Sequence, residues 1–254
     1  MHRLAESIES IKINSTAYEI RAGRHIWVKR RRRGSELVAI FANFFFRLSH
    51  APIHLWILSK RWQRWEVDCF HLLYDQGFSA FAENPRKVCV DRVPGVSLLE
   101  HLNLGTLTPQ KLEAAAREFR RAHELWCGEF SDLWSHSDPH LDNVLYEEAT
   151  DRARFIDFEL IHRKSLPAVA RHADDLLVFL QDVLARVPAE QWLPFALCFI
   201  KAYDRPEVVA ELRRQLIVPG GIAGLWWKLR TNYLERKQLL NRVAALRGAL
   251  SLNL

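Results

Sequence analysis

Apolar and polar residues alternate through the first thirty positions, in SIKIN, AYEIR and HIWVKR, with Asn14-Ser15-Thr16 and Ala22-Gly23-Arg24 as turns between them. Period-two alternation broken by turn residues predicts a three-strand meander. Between Leu37 and Leu58 (LVAIFANFFFRLSHAPIHLWIL) the pattern becomes almost continuously apolar. A membrane-spanning helix needs about 20 nearly unbroken apolar residues, and here Asn43, Arg47, His50, Pro52 and His54 interrupt the run. The expectation is a helix of about three turns, a break at Pro52 and a second short apolar segment. What covers that segment is open: its own sheet, a partner chain, or an anionic membrane reached through Arg30 to Arg33 just before it.

Farther along, Trp62, Trp65, Cys69, Leu72 and Leu73 fall at helical spacing on a segment that carries Glu66, with Gly77 as its stop. Lys87 to Val90 reads as a strand, and Pro94-Gly95 turns the chain at a boundary between two parts. Thr108 and Pro109 form a helix start, and Leu112, Ala115, Ala116, Phe119, Ala122 and Trp126 give that helix an apolar face. Residues 172–187 predict another helix ending before Pro188, and the remainder is helical with a break at Pro219-Gly220-Gly221. No internal repeat is present. The fold class is α+β: a small β-rich part, residues 1–93, followed by a mostly helical part, residues 94–254.

Composition narrows the class without choosing the function. A chain of 254 residues, 49% hydrophobic and 26% charged, with ten Gly and ten Pro, is globular. Its 36 basic and 30 acidic residues give +6, which favours anionic partners such as nucleotides, nucleic acid or acidic lipid. Cys69, Cys89, Cys127 and Cys198 form no C-x-x-C pair, so reduced thiols and a cytoplasmic setting are expected. The opening MHRLAESIESIKINS lacks the apolar middle of a secretory signal.

The segment richest in chemistry is His136-Ser137-Asp138-Pro139-His140-Leu141-Asp142-Asn143, followed by Phe155-Ile156-Asp157-Phe158-Glu159. It reads as loop, short strand, turn and strand. H-x-D-x-x-x-x-N alone arises by chance in roughly one chain in a hundred of this length; an apolar-Asp-Phe fourteen residues past the Asn makes the combination far more specific. With these residues the chain resembles the protein-kinase-like superfamily, especially its aminoglycoside phosphotransferase, choline and ethanolamine kinase and lipopolysaccharide core kinase branches. The resemblance implies a two-lobed kinase-like fold with a shared cleft hinged near Val90 to Gly95. It also implies transfer of the γ-phosphate of ATP, with Mg2+, to a hydroxyl of a small molecule, glycan or lipid. No nucleic acid partner is expected.

Carried over by position, Asp138 accepts or orients the proton of the acceptor hydroxyl, and His140 stands near the transferred phosphate. Asn143 and Asp157 hold the metal. Two hard oxygen donors, an amide and a carboxylate, suit Mg2+. Upstream, Lys29 matches the Lys of the α- and β-phosphates and Glu66 its ion-pair partner. His136 supports the loop, and of the pair Asp174 and Asp175, Asp175 resembles the Asp that buttresses it. That pair also fits the beginning of a helix, where the dipole favours acids.

There are departures from the pattern. No G-x-G-x-x-G precedes Lys29, so the Asn14-Ser15-Thr16 turn, with Ser15 and Thr16, is left to cover the phosphates. Glu159 replaces the protein kinases' Gly, and no A-P-E segment follows, which points to a small-molecule or lipid kinase. Two other classes are open: a catalytically silent kinase-like scaffold, and a metal-dependent hydrolase built on His136, Asp138, His140 and Asp142. His25, His50, His54, His71, His172 and Trp226-Trp227 are assigned no chemical role.

Overall fold

The computed structural model describes residues 13–231 and 234–252. The chain divides into two compact units, the first made of residues up to Leu48, His54–Arg92 and Phe158–Ile161. Its elements are β1 (Asn14–Arg21), β2 (Arg24–Arg31), α1 (Ser35–Leu48), β3 (Ile53–Leu55), α2 (Ser59–Leu73), β4 (Ala80–Asn84) and β5 (Lys87–Asp91). The sheet runs β1-β2-β5-β4 with every neighbour antiparallel. Ala22 and Gly23, both at positive φ, make the two-residue hairpin between β1 and β2; turns of this kind match the twist of the strands they join. Ile26, Val28 and Cys89 alternate inward to form the sheet's buried side.

Helix α2 buries Trp62, Trp65, Glu66, Cys69, Phe70 and Leu73 along one stripe. The spacing explains the helix, and the carboxylate standing in that stripe requires a cation opposite it. The helix stops at Leu73, before the expected Gly77, because Tyr74 turns to extended backbone and its ring stacks on Phe78 at 4.2 Å. A second difference concerns Asn14-Ser15-Thr16, which is not a turn. These residues begin β1 and pair in register with Arg31, Arg30 and Lys29, so the ladder takes up their backbone groups. Of the expected SIKIN strand, residues 10–12 lie outside the described residues.

The second unit comprises residues 49–53, 93–157 and 162 onward. Against the 1–93 and 94–254 division expected from sequence, residues 49–53 and Val93 fall in the second unit and residues 158–161 in the first. The elements in order are β6 (Val96–Ser97), α3 (Leu98–Asn103), α4 (Pro109–Ala122), β7 (Trp126–Cys127), β8 (Asp132–Leu133), a single 3-10 turn (Leu141–Asn143), β9 (Val144–Glu147) and β10 (Arg152–Phe155), followed by β11 (Leu160–His162), of which only His162 belongs to this unit. Then come α5 (Ala168–Arg186), α6 (Trp192–Tyr203), α7 (Pro206–Gln215), α8 (Gly221–Arg230) and α9 (Arg236–Leu252). Gly95 at φ 105° lies where an added Cβ would stand 2.5 Å from the Tyr146 carbonyl oxygen, so β6 can pair with β9 only through a residue without a side chain.

Thr108 caps α4 by accepting a hydrogen bond from the Lys111 amide, and Pro109 occupies the first turn. Trp126, expected on this helix's apolar face, instead lies beyond its end in β7 and is exposed. The chain leaves the helix at His123, whose buried ring is tied elsewhere. Phe119 on α4 meets Phe155, Phe179 and Phe199 edge-on at 4.8, 5.2 and 5.2 Å, the aromatic centre of this unit. Helix α5 is buried continuously from Arg171 to Ala185, as befits a helix surrounded by its neighbours.

Of the histidines sealed into this core, three are displaced well below the ordinary imidazole value. His123 donates from Nε2 to Asp175 and accepts at Nδ1 from the Tyr203 hydroxyl, 3.0 and 2.8 Å. His172 donates to the Trp134 carbonyl at 2.9 Å, and its ring stacks on that of His123 with centroids 4.0 Å apart. Burial pushes His172 down to about 2, holds His123 well below the ordinary imidazole value and brings His136 to about 4.

The unfolded chain, with imidazoles near 6.5, therefore binds protons that the folded chain refuses. The contribution of these rings to stability is complete above about pH 6.5 and declines as pH falls, down to about 4 for His136 and lower for His172, by ~1.4 kcal/mol per pH unit for each such histidine. Urea unfolding midpoints should drop between about pH 7 and pH 5, and His172→Gln should flatten the slope by about one proton. A midpoint constant across that interval would show that these rings are not held neutral.

Candidate active site

Within the second unit the loop before the 3-10 turn is held from behind by α5. Ser137 has φ 80°, a left-handed backbone that costs a non-glycine residue roughly 1–2 kcal/mol. Its amide and that of His136 both point at Asp175, donating to Oδ1 at 2.7 Å and Oδ2 at 2.8 Å. The same Oδ2 accepts from His123. Asp175 is fully buried and has three donors, as a buried carboxyl group requires. It is not at the beginning of its helix, which starts seven residues earlier at Ala168. Asp174 beside it accepts from His162 Nε2 at 3.1 Å, while His162 Nδ1 accepts from the hydroxyls of Ser135 and Ser137 at 2.9 and 3.0 Å. Two turns on, Asp182 accepts from the Leu141 amide at 3.1 Å. Three carboxylates of one helix thus fix the loop at both ends.

The loop presents Asp138 with its side chain 31% exposed. His136 ties it forward: Nδ1 accepts from the Asp138 amide at 3.3 Å and Nε2 donates to the Ile156 carbonyl at 3.1 Å. Asn143 donates Nδ2 to the Asp138 carbonyl at 2.9 Å, so its amide oxygen is the end left as a hard donor. The Ile156 amide donates to the Asn143 carbonyl at 3.1 Å. Asp157, the next residue, has φ 65°, a region that Asp tolerates better than most side chains. The hydrogen bonds therefore gather Asp138, Asn143 and the backbone leading into Asp157 around one turn. His140 caps that turn, its Nδ1 accepting from the Asp142 amide, with Nε2 3.9 Å from Asp138 Oδ2.

Arg230 at the end of α8 was not anticipated. Its Nη2 donates to Asp138 Oδ1 at 3.4 Å and its guanidinium lies 4.5 Å over the Trp226 ring. The two partners are 92 positions apart, and a lone Arg in a basic helix carries no mark of such a contact.

In the first unit, Lys29 Nζ contacts Glu66 Oε1 at 2.7 Å, with the Glu66 side chain fully buried. Glu159 Oε1 stands 3.9 Å from the same ammonium and accepts from Asn14 Nδ2 at 2.5 Å. The Lys29–Glu66 pair is the one the resemblance implies, whereas nothing in the sequence marks Glu159 as a neighbour of the same ammonium. Ser15 and Thr16 sit on a strand and not at a hairpin tip: Ser15 Oγ donates to the Arg30 carbonyl at 3.4 Å, and Thr16 pairs with Lys29 across the ladder.

The hydrolase arrangement is not formed. Both ring nitrogens of His136 are committed to backbone groups, and His140 Nδ1 to the turn. Among the described residues no three His, Cys, Asp or Glu side chains converge in a group that could hold a metal ion.

No protein-family model matches the sequence, and no curated protein matches it. Solved structures similar to the chain include the Plasmodium vivax ethanolamine kinase Pv091845, 7% identical, over 96% of this chain and 84% of that one, with a TM-score of 0.48. The ADP-bound aminoglycoside phosphotransferase APH(2'')-Ib is similar at 13% identity over 96% of each chain, TM-score 0.45. The complex of Rv3197 with erythromycin from Mycobacterium tuberculosis is similar at 13% identity, over 95% of this chain and 71% of that one, TM-score 0.42.

Proposed function

We propose that the chain is a phosphotransferase that moves the γ-phosphoryl group of a nucleoside triphosphate to a hydroxyl of a small molecule, glycan or lipid. The observation that carries this reading is the clamp of Asp175 on the two amides before Asp138, which holds one half-exposed carboxylate in a fixed place. Phosphoryl transfer asks an enzyme chiefly for positioning and for charge in the right places. Asp138 takes the proton as the acceptor oxygen bonds to the γ-phosphorus, and the bond to the bridging oxygen breaks with its electron pair leaving on the nucleoside diphosphate. Lys29, kept in place by buried Glu66, supplies a cation for the α- and β-phosphates.

Mg2+ fits Asn143 and Asp157, since the bond from Asn143 Nδ2 to the Asp138 carbonyl orients a hard amide oxygen beside a carboxylate-bearing turn. An ion held by these two residues would supply positive charge against that of the phosphates. Arg230 adds a feature that favours one class of acceptor. A guanidinium beside the base suits an acceptor with a phosphate or carboxylate near its reacting hydroxyl better than a polycation.

Two variants separate alignment from binding. Asp138→Asn should slow γ-phosphoryl transfer, to acceptor or to water, by about 10²–10⁴-fold while Mg-nucleotide affinity by calorimetry stays within about threefold. Asp157→Asn should instead weaken that affinity about tenfold or more. Near wild-type transfer by Asp138→Asn removes it as the base. Nucleotide-induced thermal stabilisation without turnover on water or any acceptor makes the chain a binding scaffold.

The acceptor is tested with matched pairs of alcohols with and without a phosphate group. Arg230→Gln should raise KM for the phosphorylated members about tenfold or more and change KM for the neutral members far less. Equal effects on both would assign Arg230 to holding Asp138 alone.

A further inference from the structure

Helix α1 is apolar around most of its circumference, yet the fold covers one side of it. Ser35, Ala39 and Phe46 are buried. Leu37, Ile40, Phe41, Phe44 and Leu48 are exposed, Phe41 at 71% and Phe44 at 62%. Their spacing of three, four and seven sets them on a single stripe about 100° wide. An exposed aromatic ridge of this kind marks a surface that meets something apolar.

The ridge continues onto the neighbouring segment. Asn43 brackets the backbone of Leu55, donating to its carbonyl at 2.9 Å and accepting from its amide at 2.7 Å. One to two turns away Glu36 accepts from Ser59 Oγ at 2.9 Å. Residues 55–59 therefore run along one flank of α1, and between the two tethers Ile57 and Leu58 are exposed, Leu58 at 64%. Around this surface the charge is of one sign. Residues 30–64 contain eight Lys and Arg and a single acid, Glu36, which already pairs with Arg86. Arg32, Arg33, Arg47, Lys60 and Arg61 are all exposed.

We propose that α1 with Ile57 and Leu58 is a docking surface for an anionic lipid bilayer, the helix lying in the interface with its phenylalanines at the acyl boundary and the arginines on lipid phosphates. A second copy of the chain would bring two cationic rims together, whereas anionic headgroups neutralise one. The contact is with the surface: α1 has 14 residues, and among the described residues no helix is long and apolar enough to cross a membrane. This inference stands apart from the phosphotransferase reading and does not need it.

The test is flotation of the full chain with vesicles of phosphatidylcholine alone and of phosphatidylcholine mixed with phosphatidylglycerol. Binding to the mixed vesicles that weakens with salt is expected, with little binding to the neutral ones. Phe41→Ser with Phe44→Ser, and separately Arg32→Glu with Arg33→Glu, should each lower partitioning about tenfold or more. Because these side chains are exposed, the melting temperature should hold in both variants. Absence of binding to anionic vesicles, equal binding to neutral ones, or undiminished binding by the variants would overturn the proposal. So would a dimer in solution that the Phe variant dissociates without any vesicle binding, since a second copy would then cover the ridge.

Discussion

The carboxylate of Asp175 lies at the centre of the helical unit with no exposure to solvent, and its three donors are the amides of His136 and Ser137 and the ring of His123. Removing it would strand two buried amides, each at about 1–3 kcal/mol. It would also release Ser137 from a backbone conformation that few residues hold unaided. The position of Asp138 follows from that of its neighbours, so the backbone leading into it depends on this side chain of α5, while Asp174, through His162, and Asp182 hold the flanking residues. His136 then passes the constraint to Ile156, and Asn143 returns it to the Asp138 carbonyl. The low imidazole value of His136 belongs to the same design, because a neutral ring can accept at one nitrogen and donate at the other.

The sheet-bearing unit solves a similar problem with opposite charge. Glu66 stands on the buried stripe of α2, where an unpaired carboxylate would be costly, and Lys29 on β2 meets it. The cost of burying both is offset only with good geometry and further partners, and Glu159 with Asn14 provides a second acid close to the same ammonium. Each unit thus keeps a small number of charged groups in its interior, and in each the surrounding hydrogen bonds hold them in place.

Local signals made the elements legible. Glu66 could be placed from helical spacing, and Thr108-Pro109 marked the start of α4 because capping acts within one turn. The spacing of His136, Asp138, Asn143 and Asp157 could be read because those residues share one short loop and hairpin. Asn, Ser and Thr favour turns unless a partner strand takes up their backbone groups, and β2 does so for Ser15 and Thr16. The carboxyl end of α4 falls one turn short of its apolar period for a related reason: Trp126 keeps that period, while pairing with Leu133 removes it from the helix. Arg230 and His162 could not be found in advance. Their roles come from contacts across long stretches of chain, with nothing in the flanking residues to mark them.

Coupling between the buried clamp and the exposed base is measurable as a double-mutant cycle on γ-phosphoryl release to water, with Asp138→Asn, Asp175→Asn and the pair together, in preparations whose unfolding confirms the fold. If Asp175 acts by positioning Asp138, each single change slows turnover strongly and the double variant is about as slow as Asp138→Asn alone. Independent losses that multiply in the double variant, or full activity in Asp175→Asn, would show that the clamp does not set the base.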